Sequence, residues 1–383
     1  MTELAFVDRV RKRLALTASE PWAVGDAVRD EQSRASVIAD DAALAAIQRD
    51  VTAEVAGAGP LEPLLALPGV SDVLVNRPDD VWLDRGRGLE RTAVRFSGDA
   101  AVRRLAQRLA AAAGRRLDDA SPWVDAALPD GTRLHAVLPP IAPWTTLSLR
   151  VLARRRFDLR ELVEARVAEL LRAIVEARLT LMISGGAGSG KTTLLGTLLG
   201  CVPASERLLV IEDAPELVTS HPHMVRLVTR TPNVEGSGAV GLRELVRQAL
   251  RMRPDRLVVG EFRGAEIVEL LVALNTGHEG GAATLHANAA ADVPARLYAL
   301  GALGGLSQAA VTSQAASALD VVLHLRRTRS GDRRVAEIGL LDRVGDELMV
   351  APVWSWVRGV ERRAGALIER LADRGVDPGG LLC

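Results

Sequence analysis

The sequence predicts an α/β protein built on a parallel sheet covered by helices on both faces, preceded by a smaller α+β domain. The first observation behind this is four apolar runs, LTLMIS (179–184), LLVIE (208–212), RLVVGE (256–261) and AATLH (282–286), separated by helical stretches. Strands that are apolar throughout, instead of alternating, are those buried on both faces of a parallel sheet. The second is the helix between the second and third runs, where Leu242, Leu245, Val246, Ala249 and Leu250 form a stripe on one face. The third is a change of texture upstream, where from Val70 the chain breaks into short strand-like runs divided by Pro and Gly turns. A length of 383 residues suits two or three domains.

Taken in order, residues 1–55 read as a helical extension, with Leu4, Val7, Val10 and Leu14 near a 3.6-residue period and a second apolar series from Val37 to Val55. GAGPLEPLL (57–65) ends that pattern with two glycines and two prolines. The α+β domain (56–155) then takes DVLVN (72–76), DVWLD (80–84) and TAVRF (92–96) as strands and an alanine-rich helix at about 100–113. WVDAALPDGTRLHAVLPP (123–140) carries a PDG hairpin signal, and TLSLRVL (146–152) closes the domain. The triple arginine 154–156 opens a linker and connecting helix (156–178), either as a plain solvated linker or as a junction with a role. The main domain (179–345) ends in a hairpin-like pair, VVLHLRR (321–327) and RRVAEIGLL (333–341). Residues 346–383 are expected to form a helical tail. Leu297 to Leu319 is uncharged over 23 residues but holds three glycines and six Ser, Thr or Gln residues, which suits small-residue helices in a folded domain better than a membrane span.

Composition narrows the function classes. Forty-eight basic residues balance 48 acidic ones, so no whole-protein field collects nucleic acid or an anionic membrane. Cys201 and Cys383 form no CxxC pair, which suits a reducing compartment. The N-terminal MTELAFVDRVRKRLAL is too interrupted by charge for a signal peptide, so a cytoplasmic location is expected. Lys12 and Lys191 are the only lysines, every other basic residue being arginine. A lysine kept in such a chain invites a chemical reason.

For Lys191 that reason is the segment GGAGSGKTT: Gly185, Gly186, Ala187, Gly188, Ser189, Gly190, Lys191, Thr192 and Thr193. It follows an apolar strand, precedes an apolar helix and matches the phosphate-binding loop pattern. Glycines let successive backbone N–H groups face a phosphate, and the following helix adds its positive end. Lys191 offers a compact ammonium to the β- and γ-phosphates where a planar guanidinium fits badly. The Thr192 hydroxyl suits Mg²⁺. ATP and Mg²⁺ are thus the expected ligands.

Acids stand at the ends of the next strands, Glu212-Asp213 with Glu216 in IEDAPEL and Glu261 after RLVVG. Open parallel sheets bind ligands at the carboxyl ends of their strands, where such acids can hold Mg²⁺ through water or orient an attacking water. His278 and His286 lie eight residues apart in GHEGGAATLHAN. They are a weak metal-ligand set, and the alternatives are an ordinary histidine pair or a sensor of the γ-phosphate.

The ordered set GGAGSGKTT, IEDAPEL, LRMRPDRLVVGEFRG and GHEGGAATLHAN, within residues 55–345, resembles the secretion-ATPase superfamily of type II and type IV secretion and type IV and Tad pili. It looks closest to the Tad-pilus and conjugal-transfer branch (CpaF/TadA-type), on GPLEPLLALPGVSDVLVNRPD, SPWVDAALPDGTRLHAVLPP, HPHMVRLVTRTPNVEG and NTGHEGGAATLHAN; the four-cysteine insertion common in type II secretion and pilus-extension ATPases is absent. The resemblance implies a RecA-like P-loop NTPase core, with Lys191 and Thr192 on nucleotide and Mg²⁺, Glu212 orienting water, Glu261 as the Walker B acid and metal partner, and His278 and His286 as the His-box pair. It also implies hexameric rings with nucleotide between the two domains and arginines reaching the phosphates, the candidates being Arg133, Arg150, Arg226, Arg230, Arg253 and Arg263. Ala187 and Phe262 depart from the family pattern, which usually has Thr and a smaller aliphatic there. The function this implies is a Mg-ATP-driven homohexameric motor for a pilus or secretion apparatus, acting with inner-membrane platform proteins and not directly on nucleic acid. Its rivals are a nucleotide-gated scaffold and a nucleic-acid translocase.

Overall fold

A computed structural model of the chain describes residues 57–86, 88–151, 156–230, 232, 237–328 and 331–377. The helical reading of residues 1–55 lies outside these. The chain divides into two compact units between Ala153 and Arg154.

The first unit is a six-stranded antiparallel sheet with one long helix. Its strands are β1 (Asp72–Arg77), β2 (Asp80–Asp84), β3 (Leu89–Arg91), β4 (Trp123–Ala127), β5 (Arg133–Val137) and β6 (Thr146–Arg150), in the order β3-β2-β1-β6-β5-β4. Burial alternates along β1, β2, β4, β5 and β6, so one face is covered. The cover is helix α1 (Asp99–Ala112), which buries Val102, Leu105, Ala106, Leu109 and Ala110. Its first residue, Asp99, accepts hydrogen bonds from the Thr145 N–H (2.7 Å) and hydroxyl (3.0 Å), which places a carboxylate at the positive helix end and ties α1 to the start of β6. TAVRF is not a strand. Isolated bonds hold it, from Thr92 N to Val81 O, from Phe96 N to Pro78 O and from Val94 N to Thr92 Oγ1. Its alternation is real, because Val94 and Phe96 pack on the core, but the ladder is made just before it by Leu89–Arg91.

The second unit runs α2 (Ala165–Glu176), β7 (Leu181–Gly185), α3 (Lys191–Leu199), β8 (Leu208–Glu212), β9 (Met224–Val228), α4 (Leu242–Ala249), β10 (Arg256–Val259), α5 (Ile267–Leu274), β11 (Ala282–Leu285), α6 (Val293–Leu303), α7 (Gln308–Ala318), β12 (Val321–Arg327), β13 (Arg333–Val344), β14 (Glu347–Ser355), β15 (Gly359–Val360) and α8 (Ala364–Asp373). The nine strands form one sheet in the order β15-β14-β13-β12-β7-β11-β10-β8-β9. β12 through β9 in that order are parallel, and β13 to β15 add an antiparallel edge. Successive residues of β7 feed opposite cores. Leu181 and Ile183 pack with α2, α3 and α8, while Met182 packs with α4, α5, α6 and α7. This two-sided burial is why the parallel strands read as unbroken apolar runs.

Residues 346–383 are not simply a helical tail. Glu347–Ser355 is β14, paired with β13, and among the described residues of this stretch only Ala364–Asp373 is helical. The alternating burial of β14 is masked in sequence by Pro352 and by a register shift opposite Gly339. Strand β9 had no sequence signal of its own, because Arg226 interrupts its apolar residues. The uncharged stretch 297–319 is α6 and α7, which approach so closely that a Cβ on Gly301 would stand 2.3 Å from Val311 Cγ2. Among the described residues no helix is long and apolar enough to cross a membrane.

Candidate functional site

The sheet order brings the carboxyl ends of β7, β11, β10 and β8 side by side, and the candidate residues follow from that edge. The loop after β7 needs its glycines. Gly185 (φ 152), Gly188 (φ 68) and Gly190 (φ 96) take backbone angles that side chains resist. A Cβ on Gly185 would lie 2.6 Å from both Leu325 O and Ser189 Oγ. The first intrahelical bond at the mouth of α3 runs from Leu194 N to Gly190 O, which leaves the amides of the preceding turn directed at the loop.

Lys191 is only 7% exposed. Its ammonium donates to Gly185 O at 2.9 Å and Gly186 O at 3.0 Å, and lies 3.4 Å from His286 Nδ1. Burial pulls its pKa below the ordinary lysine value, and the field of Arg263 adds to this against those of Glu261 and Glu216. An ammonium buried among two carbonyls and an imidazole lacks a bonded counter-charge.

His286 leaves the end of β11, and its Nε2 stands 2.7 Å from Glu261 Oε1. Burial, reinforced by Lys191, lowers the imidazole pKa against the opposing field of Glu261. A neutral ring fits these contacts: Nε2–H donates to Glu261 and Nδ1 accepts from Lys191. The other Glu261 oxygen accepts from Arg263 Nε at 2.8 Å. Lys191, His286, Glu261 and Arg263 therefore form one connected chain across three strand ends.

Glu212 behaves differently. It is 2% exposed, and its Oε1 accepts the N–H groups of Leu217 (2.8 Å) and Glu216 (3.1 Å). Arg226 Nε lies 3.0 Å from Oε2, near enough for an ion pair although the angle makes no hydrogen bond. Burial raises the carboxyl's pKa, opposed by the Leu217 amide and Arg226. Gly260 makes room for it, since a Cβ there would meet Glu212 Cγ at 2.9 Å.

Residues 54–351 match the family described as type II/IV secretion system protein. The chain belongs to that family. A Mycobacterium tuberculosis protein named for conjugal transfer is 55% identical over 338 residues, covering 85% of this chain and 96% of that one. The type IV secretion system protein PtlH of Bordetella pertussis is 32% identical over 321 residues, covering 74% and 93%. Among solved structures, the Yersinia pseudotuberculosis ATPase DotB superposes with a TM-score of 0.53 at 17% identity over 72% of this chain and 76% of that one, a likeness of fold.

Within this secretion-family chain the structure brings together Gly185–Thr193, Glu261 and His286. It does not bring His278 to them. That ring sits at the amino end of β11, opposite to the loop's end of the strand, with Nδ1 3.1 Å from Ala273 O. The neighbouring Glu279 pairs instead with Arg374 just after α8. Glu212 holds its own turn through Oε1, while its Oε2 is buried beside Arg226 without a hydrogen bond. Glu216, the last acid of IEDAPEL, extends its field to both Lys191 and Arg263. The IEDAPEL spacing, with Glu212 and Glu216 four residues apart, carries the signal for it. Arg133 and Arg150 are direct cross-strand neighbours on β5 and β6 of the first unit. There Arg133 pairs with Asp125 at 3.2 Å and Arg150 with Asp72 at 2.9 Å. Arg226 is spent on Glu212, and Arg230 Nε donates to Gly238 O. Arg253 takes a left-handed conformation (φ 53) before β10. Phe262 fills the core at 2% exposure, which explains a large residue in GEFRG.

Proposed function

We propose that the chain is a Mg-ATP-hydrolysing motor, working as a homohexamer on the cytoplasmic side of inner-membrane platform proteins to drive a Tad or type IV-like pilus or a type II/IV secretion apparatus. The conjugal-transfer and type IV secretion names of its relatives support the system class. The observation that carries the catalytic reading is the connected chain Lys191–His286–Glu261–Arg263 at the mouth of a glycine loop.

The residues fit a nucleotide triphosphate. The Gly185 cradle has no space for a Cβ, the buried Lys191 ammonium lacks a bonded anion, and Ser189 Oγ is buried without a partner. Among the described residues there is no cluster of three His, Cys, Asp or Glu side chains for a metal. Mg²⁺ would accordingly rest on the Thr192 hydroxyl and, through water, on Glu261, and it supplies charge neutralisation of the phosphate oxygens. In this reading Lys191 leaves the loop carbonyls for the phosphates. His286 then loses its Nδ1 partner, and the imidazole transmits the change to Glu261 through its 2.7 Å contact. Arg263, released from Glu261, can turn to developing negative charge. This reading assigns the orienting of water to Glu261 and to Glu216, whose field reaches Lys191.

Steady-state phosphate release with Lys191→Ala tests the assignment. Nucleotide affinity should fall about a hundredfold, as expected for loss of a buried charge-assisted contact, and turnover should vanish. Tight ATP binding by the assembled wild type with no turnover would instead make the chain a scaffold.

A further inference from the structure

Beneath the phosphate loop lies a buried imidazole that the phosphate contacts leave unused. His324 of β12 pairs in register with Ser184 of β7, the residue before Gly185, and Ser184 pairs with Leu285 of β11, the residue before His286. Ser184 is fully buried and His324 is 6% exposed. The ring's Nδ1 stands 2.9 Å from Ser184 Oγ, and the ring also bonds to the backbone of Asn288, two residues after His286. His324 thus joins the strand that enters the glycine loop to the segment that carries His286. The short turn Ala290–Asp292 packs against β12, so the chain leaving β11 returns toward this strand. In the sequence His324 is one polar residue in an apolar run, VVLHLRR, 140 residues from Ser184.

The ring's bonds define one arrangement. The Asn288 bond raises the ring's affinity for a proton, as an accepting carbonyl does, and with Nδ1 at Ser184 it is Nε2 that donates there. Burial, reinforced by the fields of Arg326 and Lys191, lowers the pKa against that bond and the field of Asp292, which suits a neutral ring. Nδ1 then has a lone pair to offer, and the Ser184 hydroxyl donates to it in preference to Leu323 O at 3.4 Å. An imidazole that donates on one side and accepts on the other cannot turn without breaking both bonds. It is a rigid spacer between two strand ends.

His286 depends on that spacing. Its Nδ1 is 3.4 Å from the Lys191 ammonium and its Nε2 is 2.7 Å from Glu261 Oε1, and both distances change if the segment after β11 slides against the loop. A misplacement on the order of 1 Å is enough to cost about a hundredfold in rate. The pairing of β7 with β11 runs to Leu285, so His286 stands just past it, with the His324 bond at Asn288 on its far side. On the reading that His286 relays the departure of Lys191 to Glu261, we propose that His324 is the positioning residue for His286. It fixes the separation of Ser184 from Asn288 while the lysine moves, so that loss of the Nδ1 partner reaches Glu261 and is not absorbed by drift of the backbone.

The test is phosphate release and calorimetric titration with the β,γ-imido analogue of ATP, on the full chain with Mg²⁺, with a thermal melt of each variant. His286→Ala should slow turnover about tenfold. His324→Leu, which removes both bonds, should lower kcat about tenfold and shift analogue affinity by less than about threefold, since the loop and Lys191 are intact. His324→Gln, whose amide both donates and accepts, should recover kcat to within about threefold of the wild type. In the His286→Ala background, His324→Leu should cost less than about twofold more, because both act through one ring. Losses that multiply in the double variant, or a folded His324→Gln as slow as His324→Leu, mean a merely structural histidine and overturn the positioning role. So does a folded His324→Leu with wild-type kcat beside a slow His286→Ala, and the relay through His286 then stands. If His324→Leu does not fold, Ser184→Ala decides: it should lower kcat about threefold in the wild type and leave His286→Ala unchanged, and wild-type kcat overturns the assignment. A His286→Ala chain as fast as the wild type, or a wild type without turnover, removes the relay reading and the positioning role with it.

Discussion

At Glu212 one carboxylate oxygen accepts the amides of its own turn, and the other lies 3.0 Å from Arg226 Nε without a hydrogen bond. At Glu261 they face His286 and Arg263 at the mouth of the loop. Similar positions at strand ends thus lead to different chemistry. Glu261→Gln and Glu216→Gln should each slow phosphate release about tenfold or more while sparing nucleotide binding, the range of a lost general base. Glu212→Gln should act first on stability, because it breaks a buried network. Single-turnover rates beside thermal melts separate these outcomes, and a Glu212→Gln enzyme that melts normally but does not turn over restores the sequence-based role. His324 adds a pH dependence. Its ring, 2.9 Å from Ser184 Oγ under the loop, has its pKa lowered from 6.5 by burial, against the opposing Asn288 backbone bond. Below that value the unfolded chain takes up the proton more readily than the folded one, so stability is lost as pH falls. The raised carboxyls of Glu212 and Asp320 act in the opposite sense, so the comparison must be between variants. The unfolding free energy measured from about pH 7.5 to 5.5 should fall less steeply in His324→Gln than in the wild type. Equal slopes would remove the buried imidazole from the acid response.

Among the elements, α3 depends on a glycine that has nothing to do with phosphate. A Cβ on Gly196 would stand 2.2 Å from the Val218 carbonyl oxygen, so the helix packs directly on the backbone that follows Leu217. Alanine ordinarily strengthens a helix interior, but overpacking against backbone costs about 1–3 kcal/mol and prevails here. Gly196→Ala should lower the Tm by on the order of 5 °C in a scanning melt, and an unchanged or higher Tm would contradict the close approach. The same scale shows what periodicity reveals and what it hides. LTLMIS and LLVIE were legible because burial on both faces leaves no polar position. TAVRF misled because Val94 and Phe96 point inward without any strand partner along the segment. β14 was hidden by Pro352 and a register shift, whose cause is the neighbouring strand and not the local sequence.

For the whole molecule, the proposed ring is a matter of mass. Analytical ultracentrifugation with Mg²⁺ and the ATP analogue should show a species of six copies of the 40.8 kDa chain, and a monomer at all nucleotide concentrations would overturn the ring. Arg133 and Arg150 belong to this scale. Their ion pairs with Asp125 and Asp72 are exposed, so each adds little to the stability of the first unit. The sequence by itself determined the parallel core, the glycine loop with Lys191, and the acids at strand ends, because each is dictated by local spacing and by burial on both faces. Only the tertiary structure decided which of those acids and histidines meet. His286 and Glu261 share the loop's end of the sheet, whereas His278 lies at the other end and Glu212 turns inward. The reason is physical: strand order is set by crossovers between distant segments, and eight residues along a chain can span a strand from one edge of the sheet to the other.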